Sequence, residues 1–388
     1  MKIAYFTDTF LPQVNGVATA LANQTKVLGE MGHEVLIFTP KLDNINRPKF
    51  KAKNVQIIPL PAVPALVYTE FKLGVFGLPR VFKHLTKFDP DILHLHTPFT
   101  VGMDAVIASK LLKKPLVGTI HVYYTDPEYL RWLKYNFAVK LADKISQRYL
   151  NFLYSQCDVV LAPSKILAEE LNRNGFKKTV SHLPNGIIIK SSKTLSLQEK
   201  NHIKKKYALK EKVILHFGRL SYEKNVDVII KSFNLVTKKH PDVSLLIIGD
   251  GPATKHLKKL VRKLGLDSKV VFTGFIDYQS LINSSLLSVA DLFATASTME
   301  NHPMVVLEAM MFGLPIVGVK QAGLIELVSS NGYLAKAGDT KQLAEAMGKI
   351  LFDKQLASKM SNESIKMIKQ YSVDKTTDKL LNLYHSLV

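Results

Sequence analysis

The apolar residues of this chain gather into short unbroken runs: Lys2 to Thr7, Glu34 to Thr39, Val55 to Leu60, Ile92 to His96, Leu116 to His121 and Val159 to Ala162. Runs of this length, separated by segments long enough for helices, read as strands of a parallel sheet buried on both faces. After the first strand comes the turn Pro12-Gln13-Val14-Asn15-Gly16, then a helix through Met31 that Gly32-His33 stops. Pro184-Asn185-Gly186 marks another turn, and from Lys190 to Lys212 the chain is polar, lysine-rich and poor in large apolar residues. That segment is expected to connect two domains. A second series follows at Val213 to Phe217, Leu245 to Ile248, Val270 to Thr273, Leu292 to Thr295 and Ile316 to Val319, and a short amphipathic helix closes the chain at Thr376 to Leu387. The pattern predicts two α/β, doubly wound domains: residues 1–187, with 372–388 packing back on them, and residues 188–371.

Composition narrows the classes. The chain has 388 residues, 47% apolar and 22% charged, which is ordinary for a globular protein of two cores. The single cysteine, Cys157, rules out an internal disulfide and fits a reducing compartment. Met1 to Phe6 reads as a first strand rather than a signal peptide, and no apolar run is long enough to span a bilayer. The expected location is cytoplasmic, peripheral on the cytosolic face of the membrane. A net charge of +20 favours an anionic partner such as a phosphorylated substrate or anionic lipid, the alternative being a merely lysine-rich surface. Nucleic acid is not expected, because there is no binding motif and no single dense basic stripe.

The chemistry concentrates between Asp291 and Val319. The pattern there predicts a strand, the loop Ser297-Thr298-Met299-Glu300-Asn301-His302, and a helix opened by Pro303 that runs through Met311. Gly313 and Pro315 stop it before the next strand. In such a βαβ unit the loop lies at the carboxyl end of its strand, where open parallel sheets place ligands, and free N–H groups at the helix start attract anions. Glu300 in the loop and Glu308 inside the helix are too far apart along it to act as a catalytic pair. They read instead as two grips on one elongated ligand.

With Glu300-Asn301-His302-Pro303-Met304-Val305-Val306-Leu307-Glu308-Ala309-Met310 in register with Gly313-Leu314-Pro315, and with His216-Phe217-Gly218-Arg219-Leu220-Ser221-Tyr222-Glu223-Lys224-Asn225 after a strand, the chain resembles the retaining glycosyltransferases of family four. That family includes phosphatidylinositol mannosyltransferases and bacterial diacylglycerol glucosyltransferases, and the resemblance covers nearly the whole chain. It implies the GT-B fold, two Rossmann-like domains facing a central cleft, and transfer of a hexose from a nucleotide diphosphate sugar with retention. Arg219 and Lys224 would stabilise the departing diphosphate with no cofactor and no metal. Glu300 would hold the donor sugar, Glu308 would accept hydrogen bonds from the ribose, and the helix start at Asn301, His302, Pro303, Met304 and Val305 would face the diphosphate. Gly218, Gly249 and Gly274 lie in strand-end turns that the resemblance makes pocket walls. Gly16 stands where the family brings backbone N–H groups to the donor phosphate, and His121 where a histidine hydrogen-bonds a sugar hydroxyl. A tight turn at Gly16 and a strand-end histidine at His121 are the competing readings.

The acceptor is less constrained. Val63 to Phe88 mixes Leu66, Val67, Phe71, Leu73, Val75, Phe76 and Phe82 with Lys72, Arg80, Lys83 and Lys87. Tyr129 to Tyr154 mixes aromatic residues with Arg131, Trp132, Lys134, Phe137, Lys140, Lys144 and Arg148. Helices of this composition lie in membrane interfaces, as do those of lipid-modifying members of the family, or face a core with their lysines solvated. A lipid acceptor such as diacylglycerol is expected. A soluble or polysaccharide acceptor, and a non-catalytic sugar-nucleotide sensor, stay open. Tyr124-Thr125-Asp126-Pro127-Glu128-Tyr129 follows the diacylglycerol glucosyltransferase pattern loosely, Ile187 lacks the aspartate that often follows it, and Asn301 and His302 replace common glycine and phenylalanine. Asp89-Pro90-Asp91 reads as a turn rather than a metal-binding pair, and His94 with His96, on one face of a strand, lacks a third ligand for zinc.

Overall fold

The computed structural model describes residues 1–13, 15–41, 50–64, 72–75, 77–121, 136–189 and 195–388, without the side chains of 136–143 and 322. Within them the chain divides into one unit of Met1–Ile188 with Val373–Val388 and a second of Ile189–Ser372.

The strands of the first unit are β1 (Lys2–Phe6), β2 (Glu34–Pro40), β3 (Val55–Leu60), β4 (Ala62–Pro64), β5 (Lys72–Gly74), β6 (Ile92–Leu95), β7 (Leu116–Thr119), β8 (Val159–Ala162) and β9 (Val180–His182). All but β4 and β5 join one parallel sheet in the order β3-β2-β1-β6-β7-β8-β9. Alternate residues of β1 supply opposite cores: Ala4 and Phe6 pack with Leu93 and Leu95, whereas Ile3 and Tyr5 pack with Leu21 and Leu28 of the helix Gly16–Glu30. The last helix, Val373–His385, buries Leu380 and Tyr384 in that second cluster. Gly186 permits its approach, since a Cβ there would stand 2.6 Å from the Val373 Cα.

The second unit holds β10 (Lys212–Phe217), β11 (Val243–Ile248), β12 (Val270–Gly274), β13 (Leu292–Ala294), β14 (Ile316–Val319) and β15 (Gly332–Ala335), all parallel, in the order β12-β11-β10-β13-β14-β15. Every residue of β11, β13 and β14 is buried, which is why these strands read as unbroken apolar runs. In both sheets the winding reverses beside the first strand of the series, between β1 and β6 and between β10 and β13. Loops leaving the carboxyl ends of such a pair diverge and leave a crevice.

The expectation of two doubly wound sheets holds, and three details differ. Pro303 does not open its helix; it stands at the N-cap with ψ 115°, and the helix is Met304–Met311. The lysine-rich segment expected only to connect contains a helix, Leu197–Lys206, with no buried residue, held by a capping box between Ser196 and Glu199. Val63 to Phe88 is not one helix: β4 and β5 form an antiparallel hairpin before the helix Leu78–Phe88, and Leu66, Val67, Phe71 and Phe76 lie outside the described residues. The segment Tyr124 to Tyr129, with Arg131, Trp132 and Lys134, lies outside them as well. Asp89 and Asp91 do structural work as expected, Asp89 ending a helix and binding Lys114 Nζ at 2.9 Å while Asp91 accepts from the Lys2 N–H.

Candidate active site

In the second unit the site starts from the ends of three adjacent strands. Gly218, after β10, has φ +140°, and Gly249, after β11, has φ +133°, a region that side chains avoid. A Cβ on Gly249 would lie 1.9 Å from the Gly218 carbonyl oxygen. The Gly218 N–H donates to Ile248 and the Gly249 N–H to Gly274, at 3.0 and 2.9 Å. Gly249 is therefore required for backbones to close on one another, while Gly218 faces Val305, whose Cγ1 lies 3.6 Å from where a Cβ would stand. These glycines shape the floor beside the helix start.

Two loops meet across the β10–β13 crevice. The loop after β10 carries half-buried Arg219, a single turn at Tyr222–Lys224, and Asn225 in the left-handed region at φ 48°. The Asn225 amide donates to the Ala296 carbonyl at 3.3 Å and to Thr298 Oγ1 at 3.1 Å, and Thr298 N–H donates to the Glu223 carbonyl. That seam brings Lys224 Nζ to 2.6 Å from Glu300 Oε1, with 26% and 14% of the two side chains exposed. A charge pair sheltered to this degree is stronger than a surface pair, and removing one partner strands the other. Behind it His216 is buried, its Nδ1 2.9 Å from the Ala294 carbonyl. Burial, with help from the Lys224 charge, pushes its pKa down to about 4. The site's positive charge is thus carried by Lys224 and Arg219, not by that histidine.

The loop after β13 runs through Asn301 and buried His302, whose ring meets Tyr371 edge-on at 5.3 Å. Gly323 braces it from β14's end: its N–H donates to the Glu300 carbonyl at 2.9 Å, and a Cβ there would be 2.5 Å from that oxygen. No side chain caps the helix Met304–Met311, so its first N–H groups remain available to an anion. Glu308 is 4% exposed, and burial pushes its pKa up to about 8 against a hydrogen bond from Tyr278. Glu300 and Glu308 have separate partners, Lys224 and Tyr278, so they are not a catalytic dyad. Tyr278, Asn225 and Gly323 were not singled out in the sequence. Asn225 closes the quoted lysine segment, and Gly323 stands just after a strand, so both carried a positional signal; Tyr278 carried none.

In the first unit, Gly16 is exposed as the first residue of its helix, with Asn15 capping the Ala18 N–H at 2.9 Å. Its N–H therefore lies at a helix N-terminus, where an anion is favoured. His121 is buried past the end of β7, its pKa pushed down to about 4 by burial. His94 and His96 do share a face, and His121 adjoins them as a third imidazole. Both nitrogens of His94 are already bonded, to Tyr384 and Thr119, and among the described residues no group of three or more His, Cys, Asp or Glu could hold a metal ion.

The raised Glu308 pKa has a consequence for stability. The native protein holds this proton between about pH 4.5 and about 8, where the unfolded chain does not, so stability falls as pH rises through that window. Glu308→Gln removes the loss, and its stability relative to wild type should improve by roughly 2 kcal/mol or more from pH 5 to pH 7.5, read from urea unfolding. Parallel curves for the two proteins would contradict a buried, neutral Glu308.

Comparison with known proteins gives the family and the fold. A family described as Glycosyltransferase Family 4 matches residues 14–190, and one described as Glycosyl transferases group 1 matches residues 197–367. The chain is 29% identical to an alpha-monoglucosyldiacylglycerol synthase of Streptococcus pneumoniae over 89% of its length and 77% of the relative's. It is 25% identical to a GDP-mannose-dependent alpha-mannosyltransferase of Corynebacterium glutamicum over 100% of its length and 89% of the relative's. Among solved structures, sucrose-phosphate synthase of Thermosynechococcus elongatus shares the fold with TM-score 0.81 at 20% identity over 100% and 98% of the two chains. Anabaena HepE in complex with UDP does so with TM-score 0.77 at 21% identity, over 100% of both chains. With both halves of the chain matched and two parallel α/β sheets carrying the glutamate helix and its basic loop, the protein belongs to the group 1, family 4 glycosyltransferases of GT-B fold.

Proposed function

We propose that the protein moves a hexose, with retention and without a metal, from a donor of the UDP-glucose or GDP-mannose class to the hydroxyl of a lipid such as diacylglycerol at an anionic membrane surface. The observation that carries the donor half is the Lys224–Glu300 pair at 2.6 Å beside an uncapped helix start, with Arg219 in the same loop. Cations and helix N–H groups suit a diphosphate, and Glu308 deeper in that helix suits a ribose. In the reaction the bond from the anomeric carbon to the diphosphate oxygen breaks and a bond to the acceptor oxygen forms on the same face, the acceptor's proton passing to a phosphate oxygen. Arg219 and Lys224 stabilise the charge gathering on the diphosphate. Glu300 holds sugar hydroxyls and steadies the positive charge developing on the ring, Glu308 accepts from the ribose, and His121 hydrogen-bonds a sugar hydroxyl. Relatives named for alpha products favour retention, because glucose and mannose are α-linked in these donors. Neighbours of like fold that carry UDP or UDP-glucose support the donor class.

Support for the lipid half comes from the helix Asn136–Tyr154. Lys144, Ile145, Arg148, Tyr149 and Phe152 share an exposed face, with Ile145 58% and Phe152 55% exposed, while Leu150, Leu153 and Tyr154 are buried behind it. Apolar groups flanked by cations suit the headgroup region of an anionic bilayer. The helix Leu78–Phe88 contributes charge only: Phe82 and Phe88 pack toward the core, and Arg80, Lys83 and Lys87 are exposed. No helix among the described residues is long and apolar enough to cross a membrane. The relative named as a glucosyldiacylglycerol synthase points to the same acceptor class.

Glu300→Ala and Arg219→Ala should each lower the turnover of sugar transfer by about 100-fold or more while still unfolding cooperatively as folded proteins, Glu300→Ala with some loss of stability from the stranded Lys224, and excess chelator should leave wild-type activity unchanged. Wild-type turnover in both variants would remove the assigned roles, and strict dependence on added metal would remove the metal-free mechanism. On the membrane side, the protein should co-sediment with anionic phosphatidylglycerol vesicles in a salt-sensitive manner, and Ile145→Ser with Phe152→Ser should weaken that binding by about tenfold. Absence of salt-sensitive binding by wild type would sink the membrane surface as a partner.

A further inference from the structure

The three buried histidines of the first unit stand in a row: His94 stacks on His96, and His96 hydrogen-bonds His121. β6 and β7 are parallel neighbours with His94 opposite Val117, and His96, two residues past His94, projects from the same side of its strand. The His96 ring is held on two sides, 3.9 Å from the His94 ring at 29° and 4.5 Å from the Tyr5 ring at 54°. His94 is itself fixed by Thr119 Oγ1 at 2.7 Å and by the Tyr384 hydroxyl, and the Tyr5 hydroxyl is fixed by Gln24 at 2.7 Å. Three strands, the first helix and the last helix therefore converge to immobilise one imidazole. That imidazole, only 2% exposed, places its Nδ1 3.2 Å from His121 Nε2.

We propose that His96 is the positioning residue for His121, holding its ring orientation and setting which of its nitrogens carries the proton. The proposal rests on the reading that His121 hydrogen-bonds the donor sugar. Burial keeps both imidazoles neutral, and two neutral rings that share a hydrogen bond have a single proton between their facing nitrogens. Their tautomers are therefore coupled. With the shared proton on His121 Nε2, His96 Nε2 would carry a buried N–H that no protein atom among the described residues accepts, whereas with it on His96 Nδ1 the remaining N–H is that of His121 Nδ1, which a sugar hydroxyl meets in the proposed function. The proton of His96 is accordingly better placed on Nδ1, donating to His121 Nε2. His121 then carries its own proton on Nδ1, which makes that atom the donor toward a sugar hydroxyl. A histidine oriented in this way reaches substrate in one state rather than four, two flips by two tautomers.

Substitutions and spectroscopy of the full-length protein separate positioning from packing. His96→Phe fills the site without a nitrogen and should lower kcat for sugar transfer by about 10- to 100-fold, with donor KM within about threefold of wild type. His96→Asn, whose amide nitrogen stands where Nδ1 stood, should recover kcat to within about fivefold of wild type. Retained kcat in His96→Phe, or an equal loss in His96→Asn, would overturn the proposal. Nitrogen-15 spectra of wild-type imidazoles test it without any substitution: His121 should carry its proton on Nδ1 and His96 on Nδ1, and a proton on His121 Nε2 would overturn the assignment. His121→Ala separates the two layers, because unchanged transfer in that variant would remove the role of His121 itself, whereas a loss there beside an unaffected His96→Phe would remove only His96.

Discussion

The arrangement of the second unit depends on the seam between the loops leaving β10 and β13. Strand order makes those loops diverge, and left to themselves they would not present a common surface. Asn225 reverses this locally. Its left-handed backbone turns the lysine loop into its helix, and its amide ties that loop to Ala296 and Thr298. Lys224 and Glu300, 76 residues apart in sequence, then meet at 2.6 Å. The ion pair is a product of the topology, which sets a lysine and a carboxylate from two distant loops side by side in a partly sheltered place.

Glu308 marks the opposite regime. It sits in a helix that is buried nearly all round, it accepts a hydrogen bond from Tyr278, and burial holds it protonated near neutrality. One helix thus carries a paired, partly exposed carboxylate ahead of it and a neutral, buried carboxyl within it. Two carboxyl groups in such different surroundings are not interchangeable, and the proposed division between sugar and ribose draws on that contrast. The first unit repeats the theme with imidazoles: burial keeps His94, His96 and His121 uncharged, so they act through hydrogen bonds and shape.

The two parallel sheets were legible because strands buried on both faces leave unbroken apolar runs. What escaped had a weaker or different signal. β9 and β15 are short edge strands, three and four residues long, with partly exposed positions. The helix Leu197–Lys206 buries nothing, so it has no apolar stripe, and only its capping box announced it. Within the site, Glu300, Lys224 and Arg219 could be named from local pattern and family resemblance, and the structure brings Glu300 and Lys224 together. The partners Tyr278 and His96 could not be named, because their contacts with Glu308 and His121 are set by neighbouring elements in space. His94 and His96 looked like an incomplete metal pair for the same reason: the third imidazole and the tyrosines that occupy them are distant in sequence.

Everything proposed for this protein converges on one event, the transfer of an intact hexose to a lipid hydroxyl with its anomeric configuration kept. The most direct measurement offers labelled UDP-glucose and GDP-mannose with diacylglycerol in anionic vesicles, and with soluble glycosides in parallel, and determines the anomeric configuration of any product by NMR. An α-linked glycolipid from one of the two donors is the expected result. Donor binding with neither transfer nor hydrolysis, or a β-linked product, would contradict it.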